Sequence, residues 1–197
     1  VVNPFDLYGD YLRIALRAPS SLQLIEWIAA DPEASRPPLR TPPRGRWIVC
    51  GYGRFGTEVA ADLRAEGLAV TVIEAAEATA DDPAIITGSV TESDVLASAR
   101  PHDAVALVAA TDNDTTNLSV IAEARKLNPA LYVVARQNQP PNAPLFRAVR
   151  VDLAMIASQS SITLAGLSTV TPIDDCASRR SWNSVSVSAT TACFETL

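Results

Sequence analysis

From Arg46 onward, short apolar runs alternate with stretches of helical periodicity, and this alternation constrains the fold more than any other feature of the chain. The runs lie at 46–50 (RWIVC), 69–74 (AVTVIE), 84–87 (AIIT), 104–110 (AVALVAA), 131–136 (LYVVAR) and 152–156 (DLAMI). Helical spacing separates them at 54–66, weakly near 78–82, and again at 92–99, 114–127 and 143–150. Strands that are apolar at nearly every position are buried on both faces, as in a parallel sheet covered by helices. The repeated βαβ order predicts an α/β, doubly wound parallel sheet with right-handed crossovers and strand order 3-2-1-4-5-6.

Two segments precede this pattern. Residues 1–31 predict two short amphipathic helices. Asn3 is placed to cap the first, with Pro4 at its first position, and Phe5, Tyr8, Leu12 and Leu16 recur at helical spacing. Ser20 and Gln23 have capping-box spacing for the second, which carries Leu22, Ile25 and Ile28 on one side. Both are too short and too polar to span a bilayer. They pack either on the domain that follows or at the junction with a preceding domain or membrane partner. Residues 32–46 interleave five prolines with Arg36, Arg40, Arg44 and Arg46, and read as an extended linker.

Composition narrows the function classes. With 197 residues, 48% apolar and 19% charged, the chain has room for one good-sized core plus attached material and is too apolar for a disordered protein. A net charge of −6 argues against non-specific nucleic-acid binding. His102, the only histidine, removes most histidine metal sites and Ser-His or Cys-His catalysis. Cys50, Cys176 and Cys193 show no metal spacing and suit a reduced, cytosolic setting. The chain opens on Val1, which is compatible with a piece of a longer protein.

One motif carries chemistry. Gly51-Tyr52-Gly53-Arg54-Phe55-Gly56 sits between the first strand and the first helix of the sheet, which is the setting a phosphate-binding glycine loop requires. Gly51 permits the tight turn, Gly53 lets backbone approach a pyrophosphate, and Gly56 lets helix and strand pack closely. The helix N-terminus supplies N–H groups and partial positive charge. Glu74, ending the second strand, is placed to accept hydrogen bonds from an adenosine ribose. A 2′-phosphate would meet that charge with no Arg or Lys in 75–80 to neutralise it, so NADP is disfavoured. NAD(H), ATP, ADP and AMP stay open. The competing reading is a Rossmann-like fold whose glycines only make a turn.

With these residues in view, the stretch from about 46 to 160 resembles the RCK/KTN (TrkA-N type) nucleotide-binding regulatory domain of potassium channels and of the Trk and Ktr potassium-uptake systems. The resemblance rests on IVCGYGRFG at 48–56, ITGSVTESDVL at 86–96, ATDNDTTNLSVIAEARKLNP at 110–129 and VVARQNQPPNAPLFRAVRVDLAMIAS at 133–158. It implies a nucleotide site that includes Arg54 and Phe55 in the loop, Ser89 and Val90 beside the adenine, and Thr111, Asp112, Asn117 and Arg136 at later strand ends. Ser89 stands where the family usually has aspartate. The resemblance further implies a crossover helix at 159–170, a homodimer or larger ring, and a cytoplasmic domain attached to a membrane potassium channel or transporter. Residues 171–197, with nine Ser or Thr in 27, are too short for the second subdomain common in the family and read as a flexible tail.

Other residues carry two readings each. Arg54 is a phosphate ligand or a solvated first-turn arginine. Asp112, Asn113 and Asp114 lie past the fourth strand and contact ribose or a divalent ion, or else Asp114 caps the next helix. Arg136 faces a phosphate or pairs with a carboxylate. Cys50 reads as inert core, and His102 as a structural residue on the opposite edge. Ser158, Ser160 and Ser161 lack a partner base. The expected function is a non-enzymatic nucleotide sensor controlling potassium transport. The alternatives are an NAD-dependent Rossmann oxidoreductase, which lacks a substrate domain and a proton carrier here, and a nucleotide-free scaffold module.

Overall fold

The computed structural model describes residues 4–29, 39, 41–75 and 84–156. Six strands form one parallel sheet: β1 (Arg46–Cys50), β2 (Ala69–Glu74), β3 (Ile85–Thr87), β4 (Ala106–Ala109), β5 (Tyr132–Gln137) and β6 (Leu153–Ile156). Their order is β3-β2-β1-β4-β5-β6, the predicted doubly wound arrangement. β1 is central, with Val49 opposite Val72 on one side and Val108 on the other.

Side chains alternate between the two faces, and each face is covered. Trp47, Val49, Val72, Val108 and Val134 share one apolar cluster with helices α1 (Pro4–Arg17) and α3 (Arg54–Ala65). Ile48, Cys50, Ile73, Leu107 and Val133 share the other with α4 (Ser93–Ser98), α5 (Asp114–Leu127) and α6 (Ala143–Ala148). Burial of this kind contributes roughly 1.5–3 kcal/mol for each large apolar side chain, which is why strands of three to six residues suffice.

Of the two surfaces open to the N-terminal helices, α1 packs on this domain. Leu12, Ala15 and Leu16 are buried in the same cluster as Val59 and Leu63 of α3. The Arg17 guanidinium donates to Glu66 Oε1 at 2.7 Å, and Arg13 lies 3.8 Å from Asp62. The Arg17 hydrogen bond is the main reason the Glu66 carboxyl is held below its ordinary pKa.

The second helix, α2 (Pro19–Ala29), departs from expectation in two ways. Its first turn forms on the Ala18 carbonyl, which accepts from Ser21 and Leu22, so Ser20 lies inside the helix and is not its cap. Pro19, preset in φ and with no N–H to satisfy, takes the first position instead. Of the predicted stripe only Leu22 is buried, and Ile28 is 74% exposed.

Two helix ends were also shifted. α6 stops at Ala148, two residues before the predicted end, because Arg150 adopts φ 55°. α4 is followed by Arg100 at φ 53°. Left-handed backbone at a non-glycine residue costs roughly 1–2 kcal/mol. At both places an arginine from another element holds the carbonyl: Arg125 donates to Arg150 O at 2.6 Å, and Arg46 donates to Arg100 O. The Asn3 cap, the weak helix near 78–82, most of the 32–46 linker, the crossover helix at 159–170 and the tail at 171–197 lie outside the described residues.

Candidate functional site

The crevice at the carboxyl edge of the sheet opens where the strand order reverses, between β1 and β4, and the glycine loop lies there. Its three glycines differ in what a side chain would meet. Gly51 takes φ 100°, and a β-carbon there would stand 3.1 Å from Thr111 Cγ2, so the loop abuts the end of β4. At Gly56 an added β-carbon would lie 2.0 Å from the Gly51 carbonyl oxygen. At Gly53, with ordinary φ of −64°, it would meet nothing within 4 Å. Two of the glycines are thus demanded by the protein's own packing, and the third is not.

Behind Gly53, α3 begins without a side-chain cap. The N–H groups of its first turn and the helix dipole suit an anion. Arg54 is exposed at its first position. Phe55 is buried in the first cluster, with the Arg136 guanidinium carbon 5.7 Å from its ring centroid, so this arginine meets the loop through an aromatic face. Glu74, at the tip of β2, accepts a hydrogen bond from the Tyr52 N–H. That link between loop and carboxylate had no sequence signal. The Glu74 carbonyl accepts from Gly88 N at 2.8 Å, which brings Ser89 to the same edge. Ser89 Oγ lies 2.8 Å from Thr91 Oγ1, and the Val90 side chain turns into the second apolar cluster. An open backbone position, an uncapped helix and a carboxylate on the neighbouring strand suit phosphates and ribose hydroxyls in that order.

The β4 side is built differently. Asn117 is fully buried. Its Oδ1 accepts from Thr111 N at 3.0 Å and Thr111 Oγ1 at 2.7 Å, and its Nδ2 donates to Thr111 O at 3.0 Å and Arg136 O at 2.9 Å. Every hydrogen-bonding position of the amide is used by protein. Asn117 therefore shapes the edge by clasping β4 to β5. Asp112 is exposed.

Asp114 is not the helix cap. Asn113 is, its Oδ1 accepting from Thr115 N at 2.9 Å and Thr116 N at 3.1 Å. Asp114 is buried instead, and its carboxylate accepts from Asn138 N, Asn138 Nδ2, Gln139 N and Asn142 Nδ2 at 2.7–3.0 Å. A carboxylate saturated by N–H donors has no lone pair left for a cation, which removes the divalent-ion reading of this residue. Burial acts to raise its pKa, but the hydrogen bonds from Asn138, Asn142 and Gln139 together outweigh it and hold the group below its ordinary value. Asn138, Gln139 and Asn142, the amide residues that follow β5, are the sequence signal that this connection holds something.

Two residues stay outside the site. His102 is exposed in the turn before β4, at the amino edge. Cys50 is fully buried in β1, and burial alone pushes its thiol up to about 12. With Cys176 and Cys193 changed to serine, the folded chain should leave a thiol reagent untouched at pH 8, and Cys50 should react only once urea unfolds the protein. Rapid labelling of the native chain would contradict the burial.

The fold and this edge define a doubly wound, Rossmann-like domain with its glycine loop at the switch point. The model of the TrkA-N domain matches residues 47–157, more than half of the chain, and the chain belongs to that family. It is 32% identical over 101 residues to Potassium channel protein 1 of Methanocaldococcus jannaschii, covering 48% of this chain and 30% of that one. It is also 32% identical over 109 residues to the Trk system potassium uptake protein TrkA homolog of Pyrococcus abyssi, covering 52% and 48%. The matched region thus spans less than half the length of these relatives. Among solved structures, Shewanella denitrificans Kef CTD in AMP bound form is similar at 27% identity and TM-score 0.57, over 66% of this chain and 82% of that one. GsuK bound to ADP is similar in fold, with TM-score 0.61 and 22% identity over 85% and 38%.

Proposed function

We propose that this chain is a non-catalytic regulatory domain that binds an adenine nucleotide on the Gly51–Gly56 loop and, through it, controls potassium movement by a membrane channel or transporter. The observation that carries the reading is Gly53. The packing of the protein gives no reason for glycine there, and the space its missing side chain leaves lies directly before an uncapped helix. Phosphates on the first turn of α3 and a ribose hydroxyl on Glu74 account for all three features. Glu74 selects NAD(H), ATP, ADP or AMP over NADP by charge. The relatives' names, a potassium channel protein and a potassium uptake protein, support the transport role. A cytoplasmic domain in a homodimer or ring, attached to or part of the membrane protein, is the corresponding arrangement. Ligand control requires that the nucleotide bind two states of the assembly unequally.

Calorimetric titration with NAD⁺, NADH, NADP⁺, ATP and ADP tests this. Saturable binding of a 2′-hydroxyl nucleotide is expected, weakened about tenfold or more, roughly 1.4 kcal/mol, in Glu74→Ala. Glu74→Gln, which keeps an acceptor for Tyr52 N–H, separates loss of the ribose contact from loss of loop shape. Gly53→Ala should weaken binding while leaving thermal stability unchanged. If none of the five binds, the nucleotide reading is wrong and the domain is a scaffold.

A further inference from the structure

We propose that the amino edge of the sheet, together with the exposed face of α2, is a docking surface for an anionic lipid bilayer. This surface lies opposite the glycine loop and does not depend on the nucleotide reading. In a parallel sheet the strands all begin, and the crossover helices all end, at the same edge. The charge of the chain is divided along that axis.

At the amino edge Arg17, Arg44, Arg100, Lys126, Arg147 and Arg150 are exposed. Of the carboxylates there among the described residues, Asp62, Glu66, Asp103 and Asp152, only Asp103 is exposed. The ion pairs show why, because they are layered. The Glu66 side chain is 6% exposed, beneath Arg17 and Arg44 at 67% and 62%. A guanidinium carries five N–H donors, so one held from below by a carboxylate still presents others outward. At the carboxyl edge the balance reverses: Glu92, Asp94 and Asp112 are exposed against Arg54 among the described residues. The net charge of −6 therefore conceals a basic end.

Cations near helix carboxyl ends are favoured by the helix dipole alone, so the second observation decides. α1 runs alongside α3, with Arg13 by Asp62 and Arg17 by Glu66, and so ends at the amino edge, where α2 begins. On α2, Leu24, Trp27 and Ile28 recur at the spacing of one helix face and are 51%, 44% and 74% exposed. An apolar helix face that bears an indole, beside exposed arginines, suits the headgroup region of a bilayer, where apolar side chains enter the interface and cations meet lipid phosphates. A nucleic acid would use the charges and leave the apolar face without a partner. The same anionic surface repels the acidic edge, which turns the glycine loop toward water.

The test is sedimentation of the whole chain with vesicles of phosphatidylcholine alone and of phosphatidylcholine and phosphatidylglycerol in equal parts, with polyglutamate as a soluble acidic control. Binding to the anionic vesicles is expected to be about tenfold or more tighter than to the neutral ones, and to weaken as salt is raised. Lys126→Glu with Arg147→Glu should remove most of that preference. Trp27→Ser with Ile28→Ser should weaken binding to the anionic vesicles about tenfold. All four side chains are exposed, so both pairs should keep the urea midpoint of the unaltered chain. Equal binding to the two kinds of vesicle, or unchanged binding in either pair, overturns the proposal. Binding to polyglutamate without binding to vesicles overturns it as well, in favour of an acidic protein partner.

Discussion

Gly56→Ala is expected to lose about 3 kcal/mol or more of stability, seen as a large drop in the urea midpoint. The added β-carbon would lie 2.0 Å from the Gly51 carbonyl oxygen, a backbone atom in the turn that ends β1. Neither partner can give way locally. Gly51 is fixed by its own N–H bond to Ile73 O at 2.8 Å, and Gly56 sits in the first turn of α3, which buries Phe55, Val59 and Leu63. Relief would require α3 to lift from the sheet, exposing those side chains and loosening α1 behind them. Gly53→Ala, three residues earlier, should change stability by about 0.5 kcal/mol or less, because nothing lies in its way. Equal stability of the two variants would show that the close approach of loop and helix is not the constraint described here.

Asp114→Asn should cost about 2–4 kcal/mol at pH 7. The substitution keeps the shape but places an amide N–H₂ where four N–H donors already converge, so at least one donor loses its acceptor. The pH dependence gives a second readout. The folded-state pKa is lowered, so the contribution of the carboxylate is complete above the unfolded value of about 3.9 and is lost as pH falls through the folded value. Stability of the unaltered chain should therefore fall more steeply below about pH 4 than that of Asp114→Asn, and the two denaturation curves should converge in acid. A constant gap between them down to pH 2 would mean that the Asp114 pKa is the same in the folded and unfolded chain, so that its hydrogen bonds do not favour the charged form.

The sheet was legible because its central strands are buried on both faces, and a run such as Ile48-Val49-Cys50 or Leu107-Val108-Ala109 suits a strand covered by helices on either side. The glycine loop was legible because a turn with Gly56 under the helix cannot be made otherwise. What the pattern did not contain was the second partner of each polar residue. Asn113 and Asp114 are both good helix caps and lie side by side. The choice between them was made by Asn138, Gln139 and Asn142, some two dozen residues away, which needed an anion. The Asn117 amide likewise has a partner the local pattern did not contain, a carbonyl of β5. For the N-terminal helices, an apolar stripe predicts that a surface is covered without saying by what. Leu12 found α3, whereas Ile28 found solvent. The early stop of α6 is a case where a glycine signal was absent, since an arginine takes the left-handed position with its carbonyl held from outside.

The central place of β1 governs how this chain must reach its native state. Trp47 pairs in register with Ala106, fifty-nine residues further along, and no strand neighbour in the sheet is joined by a tight hairpin. The middle of the sheet cannot close until β4 has been made and brought back across the intervening crossovers, and loop-closure entropy opposes that step before any contact rewards it. Refolding should accordingly be slow for a domain of this size. Until β4 arrives, one edge of β1 is unpaired, and its apolar run Trp47-Ile48-Val49-Cys50 is open to a neighbouring unfolded chain.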